Sequence, residues 1–346
     1  MREKFLLLLL TLAPVFLFNS CKKDPVDDNP TKISVLIDTD LDVDDAMGIM
    51  YLLQHPEMSV EGISISGTGM SYPIPATKNA LGLIDLAGQP NIPVATGDTI
   101  AINSINTQFR PVAWITEANA MMGFELPVNP NPPVDMGAVD FIIDFLIHAE
   151  NPVRIVVFGP MTNLGRALIQ SPNIASKIEM VFIMGGAVNV AGNLQDGGIT
   201  TNPFAEWNIF LDPHAADIVF KSGVNITLVP LDATTKAPVT NEFLNRFSND
   251  RNTPEADFVF AIISKLKDEL GDMDFWDPLA AVISSDQSIA NITTYPVTVI
   301  TAEGNENGRT KVDSVSGNSV NVCFDTDMNN FENVFLDVLN GRMEKK

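Results

Sequence analysis

The sequence predicts an α/β fold: an open, mostly parallel, Rossmann-like sheet with helices on both faces. Short apolar runs rich in β-branched residues, such as Ile33–Ile37 and Val153–Val157, have the length and character of buried strands. Segments of helical periodicity, such as Asp44–Gln54, alternate with them along the chain. The pairs Asp212-Pro213 and Thr253-Pro254 place a capping side chain before a Pro at the first helical position, which is typical of a helix start.

The remaining elements follow from the same signals in chain order. Apolar runs predict further strands at Ser59–Ile65, Ile92–Thr96, Met180–Ile183 and Ile226–Val229, with late strands between Val297 and Phe324. Helical patterns predict helices at Ala76–Leu86, at Val139–His148, from Thr162 onward, at Pro213–Ser222, from Glu255 to about Leu270, over Leu279–Ile283 and at Met328–Leu339. Open α/β sheets bind ligands at the carboxyl ends of their strands, so a site is expected in the loops that follow the strands.

The N-terminal residues predict an export signal that is separate from the fold. Arg2 and Lys4 precede the apolar run Phe5–Leu12, and the small residue Ser20 precedes Cys21. This pattern resembles a bacterial lipoprotein signal over residues 1–20, followed by a lipidated Cys21 and a polar tether over residues 21–31. Residues 32–346 would then form a single domain, exported and held at a membrane only by its lipid. An ordinary secretory signal with an incidental cysteine is the alternative.

Composition argues against nucleic acid as a partner and against disulfides as a source of stability. The chain has a formal net charge of −22, which disfavours nucleic acid because phosphates need a basic face. With Cys21 lipidated only Cys323 remains, so no disulfide framework can form. We therefore expect a packed core to hold the fold together.

The most informative motif is the run Asp38–Asp45, which packs five carboxylates into eight residues directly after the first strand. Carboxylates this close repel one another unless a cation neutralises them. Since only oxygen ligands are offered, the implied cation is Ca²⁺ or Mg²⁺ rather than zinc. The alternative is a solvated acidic turn that caps a helix, although one carboxylate is enough for a cap.

Three further segments place polar groups after strands or before helices. Phe158–Asn163 holds a Gly-Pro turn whose exposed carbonyls would suit Ca²⁺, or it simply leads into a helix cap. Ala205–Asn208 combines a carboxylate, an indole and an amide in one loop, which suits a polar ring such as a sugar, or it is a surface loop with a core tryptophan. Phe275–Pro278 puts an aromatic residue beside Asp277, whose alternative role is an N-cap before Pro.

Other familiar sites do not fit this sequence. Val43 stands where an EF-hand loop needs glycine, and Ile49 stands where it needs glutamate. Neither of the common Gly-rich phosphate-binding motifs occurs. The three histidines, His55, His148 and His214, lie in or beside predicted helices and outside the candidate segments, so histidine-based nucleophilic catalysis is not expected.

Taken together and in this order, the candidate segments resemble the nucleoside hydrolase family over nearly the whole chain that follows the tether. The motifs that carry the resemblance are D-x-D-x-x-x-D-D at Asp38–Asp45, Asn79-Ala80-Leu81, Ile92-Pro93-Val94, Gly159–Asn163, Met184-Gly185-Gly186, Glu206–Ile209 with Asp212-Pro213, and Trp276-Asp277-Pro278. The resemblance implies the family's fold and a calcium-dependent, inosine/uridine-preferring type of N-ribohydrolase. In such an enzyme water attacks the anomeric carbon of a nucleoside and releases the base.

The resemblance also implies roles for the matched residues. Ca²⁺ would be held by Asp40, Asp45, Asp277 and the carbonyl of Phe158, with Asp40 also the general base toward a calcium-bound water. The ribose would be bound by Asp44, Met184, Asn193, Glu206 and Asn208, and the base would be contacted by Trp276 and Trp207. A nucleoside is the implied small-molecule partner, and a homo-oligomer, either a dimer or a tetramer, is expected.

The chain departs from the family pattern where the base is bound. Trp276 stands where many members have a histidine suited to protonating the base, which resembles the purine-preferring branch, where indole rings stack on the base. Leu41 and Asp42 replace the usual Pro-Gly, and Gly67–Met70 lacks the asparagine often found after the second strand. We therefore expect purine preference. A nucleoside-binding lipoprotein without turnover is the alternative, which the complete ligand set argues against.

Overall fold

The computed structural model describes residues 32–195, 198 and 200–344. The residues from Lys32 onward form one compact unit. The predicted signal peptide, the tether and the lipidation site at Cys21 lie outside the described residues. Within the described part of the chain, no helix has the length and apolar character needed to cross a bilayer.

Nine strands form one sheet in the described residues, with the spatial order β3-β2-β1-β4-β5-β6-β9-β7-β8. All neighbouring pairs from β3 to β9 are parallel, and β7 is antiparallel to both β8 and β9. The predicted mostly parallel sheet is therefore confirmed. The strands are β1 (Ile33–Thr39), β2 (Met58–Ile65), β3 (Val94–Thr96), β4 (Val153–Phe158), β5 (Ile178–Met184), β6 (Ile226–Val229), β7 (Ala290–Val299), β8 (Thr310–Val312) and β9 (Asn318–Thr326).

The described residues also form twelve α-helices. They are α1 (Val43–Gln54), α2 (Pro73–Leu86), α3 (Val112–Asn119), α4 (Ala138–His148), α5 (Thr162–Gln170), α6 (Trp207–Leu211), α7 (Pro213–Lys221), α8 (Leu231–Thr234), α9 (Asn241–Ser248), α10 (Pro254–Leu270), α11 (Asp277–Ser285) and α12 (Met328–Leu339).

The central strands are buried on both faces, which explains their continuous apolar sequences. Val35 and Ile37 of β1 pack into one core with α1, α2, α11 and α12. Leu36, which points to the opposite face, packs into a second core with α4, α5 and α7. In β4, Val156 and Val157 divide between the same two cores. The helices therefore cover both faces of the sheet, as predicted.

Four helices were missed by the sequence analysis: α3, α6, α8 and α9. Each is eight residues or shorter, so none offers the repeated apolar spacing that identifies a helix. One expectation was wrong in part: Ala205 and Glu206 precede a helix, but Trp207 and Asn208 are the first residues of α6, with Glu206 as its N-cap. The start of α2 also lies earlier than predicted, since Pro73 and Pro75 occupy the first turn, where a missing N–H is tolerated.

Register at the carboxyl edge of the sheet decides where the candidate segments meet. Thr39, the last residue of β1, pairs with Ile65 at the end of β2 and with Phe158 at the end of β4. The chain therefore leaves three neighbouring strands at the same level. The loops that follow carry Asp40, Gly69 and Gly159, which the register brings side by side.

Candidate active site

The five aspartates of the acidic run have different structural positions. Asp38 lies in β1, and Asp40 lies in the turn after it. Asp42 is the N-cap of α1, where its carboxylate accepts a hydrogen bond of 2.8 Å from the N–H of Val43. Asp44 and Asp45 follow in the first turn of α1, where the helix dipole favours negative charge. The capping alternative therefore accounts for Asp42 and leaves the other four aspartates unexplained.

Asp38 has a structural role. It is fully buried and accepts hydrogen bonds from Ser64 Oγ at 2.7 Å and from Asn163 Nδ2 at 2.8 Å. Burial raises the pKa of Asp38 to about 6, and these two donors oppose that rise. Asn163 thus joins α5 to β1 and does not cap its helix.

Leu41 has a left-handed backbone, with φ at +53°, which is uncommon outside glycine. Its N–H donates to Thr39 Oγ1 and to Asp45 Oδ1, each at 3.0 Å, and its carbonyl accepts from Ser71 Oγ at 2.8 Å. Thr39 Oγ1 also donates to Asp45 Oδ1. The strained turn therefore directs two donors at Asp45 and fixes the orientation of its carboxylate.

Asp45 faces a carboxylate from the far end of the chain. One carboxylate oxygen from each of Asp44, Asp45 and Asp277 lies within 4.8 Å of the other two. Asp277 is the first residue of α11, one position after the N-cap Trp276, so its alternative role as an N-cap is wrong. Oδ1 of Asp277 is buried and has no hydrogen-bond partner among the described residues. An unpartnered buried carboxylate oxygen beside two other carboxylates is the donor set that a hard cation needs.

Close packing behind the site sets the approach of these elements. In α1, a methyl group added to Gly48 would lie 2.9 Å from the ring of Phe158 and 3.3 Å from the carbonyl oxygen of Asp277. Phe158 itself is buried at the carboxyl end of β4, beside Thr39. Glycine at position 48 therefore lets α1 lie close to both β4 and α11.

Asp40 is held tightly by the loop that follows β2. Its Oδ2 accepts a hydrogen bond of 2.7 Å from the N–H of Met70, and its carbonyl accepts one of 3.2 Å from the N–H of Ser71. A methyl group on Gly69 would overlap the Asp40 carboxylate, and one on Gly159 would lie 2.9 Å from the Asp40 Cβ. Asp40 is thus enclosed by two glycines that leave room for its side chain.

Burial raises the pKa of every carboxylate in this cluster. The pKa of Asp40 rises to about 7 and that of Asp44 to about 6, in both cases chiefly through burial. Burial, followed by repulsion from neighbouring aspartates, raises the pKa of Asp45 and of Asp277 well above the usual range. A bound cation would reverse this tendency by favouring the ionised forms. The residues present therefore fit a hard divalent cation.

The second part of the site lies at the end of β5 and the start of α6. Glu206 accepts hydrogen bonds from the N–H groups of Gly186 and Asn208, each at 2.8 Å, and of Ile209 at 3.1 Å. Burial raises its pKa, these donors lower it, and the charge of Asp44 raises it further. The two acidic parts of the site are thus close enough to interact.

Three predicted ribose contacts surround Glu206. Asn208 Nδ2 donates to the carbonyl oxygen of Met184 at 3.2 Å. Asn193 Oδ1 accepts from the N–H of Trp207 at 3.0 Å. The structure therefore brings Met184, Asn193 and Asn208 together around α6.

Aromatic side chains flank both parts of the site. Trp276 adjoins Asp277 and is half-buried against the core. Trp207 is half-buried, meets Trp114 of α3 edge-on at 6.1 Å between ring centroids, and its buried Nε1 lacks a hydrogen-bond partner in the described part of the chain.

Trp114 was missed by the sequence analysis, as was Arg110, whose guanidinium donates to the carbonyl of Gly69. Both lie between β3 and α4, a stretch without a recognisable motif.

Comparison with known proteins identifies the family. The family model for inosine-uridine preferring nucleoside hydrolases matches residues 35–333. The chain belongs to the nucleoside hydrolase family. The members of this family are N-ribohydrolases, which are glycosidases.

Two curated nucleoside hydrolase relatives show the extent of the similarity. Probable uridine nucleosidase 2 of Oryza sativa subsp. japonica is 32% identical over 222 residues, 64% of this chain and 63% of its own length. The chain thus spans less than two thirds of that relative. The pyrimidine-specific ribonucleoside hydrolase RihA of Escherichia coli is 33% identical over 243 residues, 68% of this chain and 73% of its own length.

A solved nucleoside hydrolase structure covers more of the chain. The purine-preferring ribonucleoside hydrolase from Gardnerella vaginalis has a TM-score of 0.74 and 29% identity, and the match covers 89% of this chain and 98% of that one. The similarity to that structure therefore extends over most of the described residues.

Proposed function

We propose that this protein hydrolyses the N-glycosidic bond of ribonucleosides to give free base and ribose. The observation that carries the proposal is the cluster of Asp44, Asp45 and Asp277, in which one carboxylate oxygen from each residue lies within 4.8 Å of the other two. In addition, the buried Oδ1 of Asp277 has no hydrogen-bond partner among the described residues. Asp40 lies beside this group and is positioned by the Met70 N–H. Membership of the nucleoside hydrolase family supports this reading of the site.

We propose Ca²⁺ as the cation, held by Asp40, Asp45, Asp277 and the carbonyl of Phe158. Clustered carboxylate and carbonyl oxygens are the ligands that Ca²⁺ takes in proteins, typically at about 2.3–2.6 Å. When bound, the cation would supply Lewis-acid activation of water and a fixed point for the ribose hydroxyls.

The protein's own groups would supply the remaining chemistry. Asp40 would take the proton of the attacking water, a role that contributes on the order of 10²–10⁴-fold in general acid–base catalysis. The pKa of Asp40, which burial raises, suits a base that works near neutral pH. The surrounding carboxylates, including Asp44 and Glu206, would stabilise the positive charge that develops on the ribose as the glycosidic bond breaks.

Residues in and around α1 and α6 would bind the ribose and fix its orientation. Asp44 would accept from the 2′-hydroxyl, and Glu206 with Asn208 would bind the 3′/5′ side. Asn193 and Met184 would complete the wall of the ribose pocket. Glu206 keeps acceptor capacity on Oε1, which receives one backbone N–H.

We propose a preference for purine ribonucleosides. Trp276 adjoins the metal ligand Asp277, and Trp207 with Trp114 provides a second aromatic group beside α6. A purine offers a wide π-face to an indole, and its N7 can be protonated as the base departs. The relatives' names point in both directions, since one matched structure is called purine-preferring and the E. coli relative pyrimidine-specific.

Nucleobase release measured for inosine, guanosine, adenosine, uridine and cytidine, with and without a chelator, tests the proposal. We expect release that requires the cation and is faster for purines. A second candidate function, a nucleoside-binding lipoprotein without turnover, would give nucleoside binding but no free base. The Asp40→Asn variant should lose at least about 10²-fold in kcat while it remains folded.

We also propose that the protein is exported, anchored by lipid on Cys21 and assembled as a homo-oligomer. The proposal of export and anchoring is supported by the charged, apolar and small-residue order of residues 1–21.

A further inference from the structure

Arg110 contacts the loop that encloses Asp40. It follows a short 3₁₀ turn, Asn106–Phe109, and its side chain is half-buried. One guanidinium nitrogen, Nη1, donates to the carbonyl oxygen of Gly69. A second, Nε, donates to the carbonyl oxygen of Thr107 at 3.0 Å, which fixes the side chain to its own turn.

The carbonyl that Arg110 holds belongs to the peptide that positions Asp40. The group next to the Gly69 carbonyl in that peptide is the N–H of Met70, which donates to Asp40 Oδ2 at 2.7 Å. A peptide group is planar, so fixing its oxygen also fixes the direction of its N–H. Arg110 and Asp40 therefore bind opposite ends of one peptide unit.

Charge reinforces this arrangement. The cluster around Asp40 consists of carboxylates, and Arg110 brings a positive charge to its edge. Burial lowers the pKa of Arg110, while the negative charge of Asp40 acts in the opposite direction, so the two groups attract each other. Tyr72, whose ring centroid lies 5.7 Å from the guanidinium carbon, covers one face of the cation.

Arg110 also connects Asp40 to the segment between β3 and α4. That segment is anchored at two other points: the N–H of Ile102 donates to Asp212 at 2.8 Å, and Asn106 Nδ2 donates to the carbonyl of Phe210 at 2.7 Å. The segment also carries Trp114, which contacts Trp207. A movement of the segment would thus be transmitted through Arg110 to the Gly69–Met70 peptide.

We propose that Arg110 is a positioning residue for the general base. It holds the Gly69–Met70 peptide so that the Met70 N–H orients the Asp40 carboxylate, and it makes that orientation depend on the docked position of the segment that carries it. This inference rests on the proposed function, in which Asp40 is the base.

Kinetics and amide exchange test the proposal with a matched control. Arg110→Gln should lower kcat for inosine by about 10-fold or more at saturating Ca²⁺ with KM changed little, because small errors of orientation reduce rates steeply. Arg110→Lys keeps one donor and should recover part of the loss. Arg166→Gln is the control: Arg166, in α5, donates to the carbonyl of Ile100 at 2.7 Å, so it holds a carbonyl of the same segment between β3 and α4 rather than that of Gly69.

A double variant shows whether the effect passes through Asp40. In an Asp40→Asn background, adding Arg110→Gln should cause little further loss, because the group it positions no longer acts as a base. An Arg110 effect that persists undiminished in that background, or a wild-type kcat in Arg110→Gln, would overturn the proposal.

Amide exchange separates this inference from the proposed function. The Met70 amide should exchange faster in Arg110→Gln than in the wild type and in Arg166→Gln, whether or not the protein releases base. A wild-type protein without turnover would refute the proposed function alone, whereas unchanged Met70 exchange in Arg110→Gln would refute the positioning role.

Discussion

Gly69 and Asp40 are packed so closely that any side chain at position 69 would occupy the volume of the Asp40 carboxylate. The adjacent Met70 N–H donates to that carboxylate, so the same turn both leaves space for the side chain and orients it. A residue with no visible motif of its own therefore governs the geometry of the proposed base.

Replacing Gly69 by Ala should reduce kcat by at least about 10²-fold, because the added methyl group must displace the Asp40 carboxylate. Steady-state nucleobase release is the measurement. Gly137→Ala is the control, since a methyl group there meets no atom within 4 Å and the backbone φ is −68°. Equal rates for both variants would contradict the importance of this contact.

Asp277→Ala should abolish both metal binding and activity, because it removes a buried carboxylate that has an unpartnered oxygen and lies beside Asp44 and Asp45. We expect one Ca²⁺ per chain in the wild type by elemental analysis and less than a tenth of that, as a rough bound, in the variant. The exposed Asp268→Asn change on α10 should leave both unchanged. Full activity in metal-free wild type would rule out the cation's role.

Metal-free protein should become less stable as the pH rises from about 4 to about 7. Burial raises the pKa of Asp40 from 3.8 to about 7 and that of Asp44 from 3.8 to about 6. Between these values the folded state binds more protons than the unfolded chain, so the free energy of unfolding falls with rising pH. Urea denaturation at several pH values in the presence of a chelator measures this free energy. The Asp40→Asn variant should show a smaller decrease with pH than the wild type.

Saturating Ca²⁺ should remove that decline, because the cation stabilises the ionised carboxylates. Metal-free wild type that gains stability as the pH rises across this range would contradict the prediction.

Trp276→Ala should lower both kcat and kcat/KM for inosine more than for uridine, because base–aromatic stacking is worth about 1–3 kcal/mol per base. Trp276→Phe should keep part of the effect. Steady-state rates with inosine and with uridine measure these losses for each variant. Faster hydrolysis of uridine than of inosine by the wild type, or a change in KM alone, would overturn the stacking role while leaving the metal site intact.

Cys21→Ser should move the protein from the membrane fraction to the soluble fraction. One acyl chain binds a bilayer only weakly, so stable anchoring needs the several chains of a bacterial lipoprotein. Cell fractionation and mass spectrometry of the N-terminal peptide are the measurements. Cys323→Ser is the control, because Cys323 is buried in β9 and burial raises the pKa of its thiol to about 11. Wild type found wholly in the soluble fraction without lipid would end this proposal.

The elements whose pattern repeats over several turns or fills a whole strand were predictable from sequence. Strand β1 and helix α1 were located to within two residues because each contains a run of apolar residues, Val35–Ile37 in β1 and Ala46–Leu53 in α1. Helix α6 was not, since its five residues contain no full helical repeat and its start depends on Glu206 accepting three backbone N–H groups. Two of these N–H groups belong to α6 itself, and the third, from Gly186, is available only when the end of β5 lies beside α6.

The part of the candidate site that consists of consecutive residues was predictable from sequence. The acidic run Asp38–Asp45 pointed to a cation, and the structure brings Asp45 to Asp277. Sequence could not distinguish the buried role of Asp38, which depends on Asn163 from another element. Arg110 was invisible for the same reason, because its importance lies in a single contact with a glycine carbonyl in a distant loop.

Gly48 affects the spacing of the elements around the site, although it is not itself a proposed ligand. The hydrogen atom on its Cα is what lets α1 lie against the ring of Phe158 and the first turn of α11. Any larger side chain there would press against the Phe158 ring and the Asp277 carbonyl. Residue 48 therefore limits, from behind the carboxylate cluster, how closely α1 can approach β4 and α11.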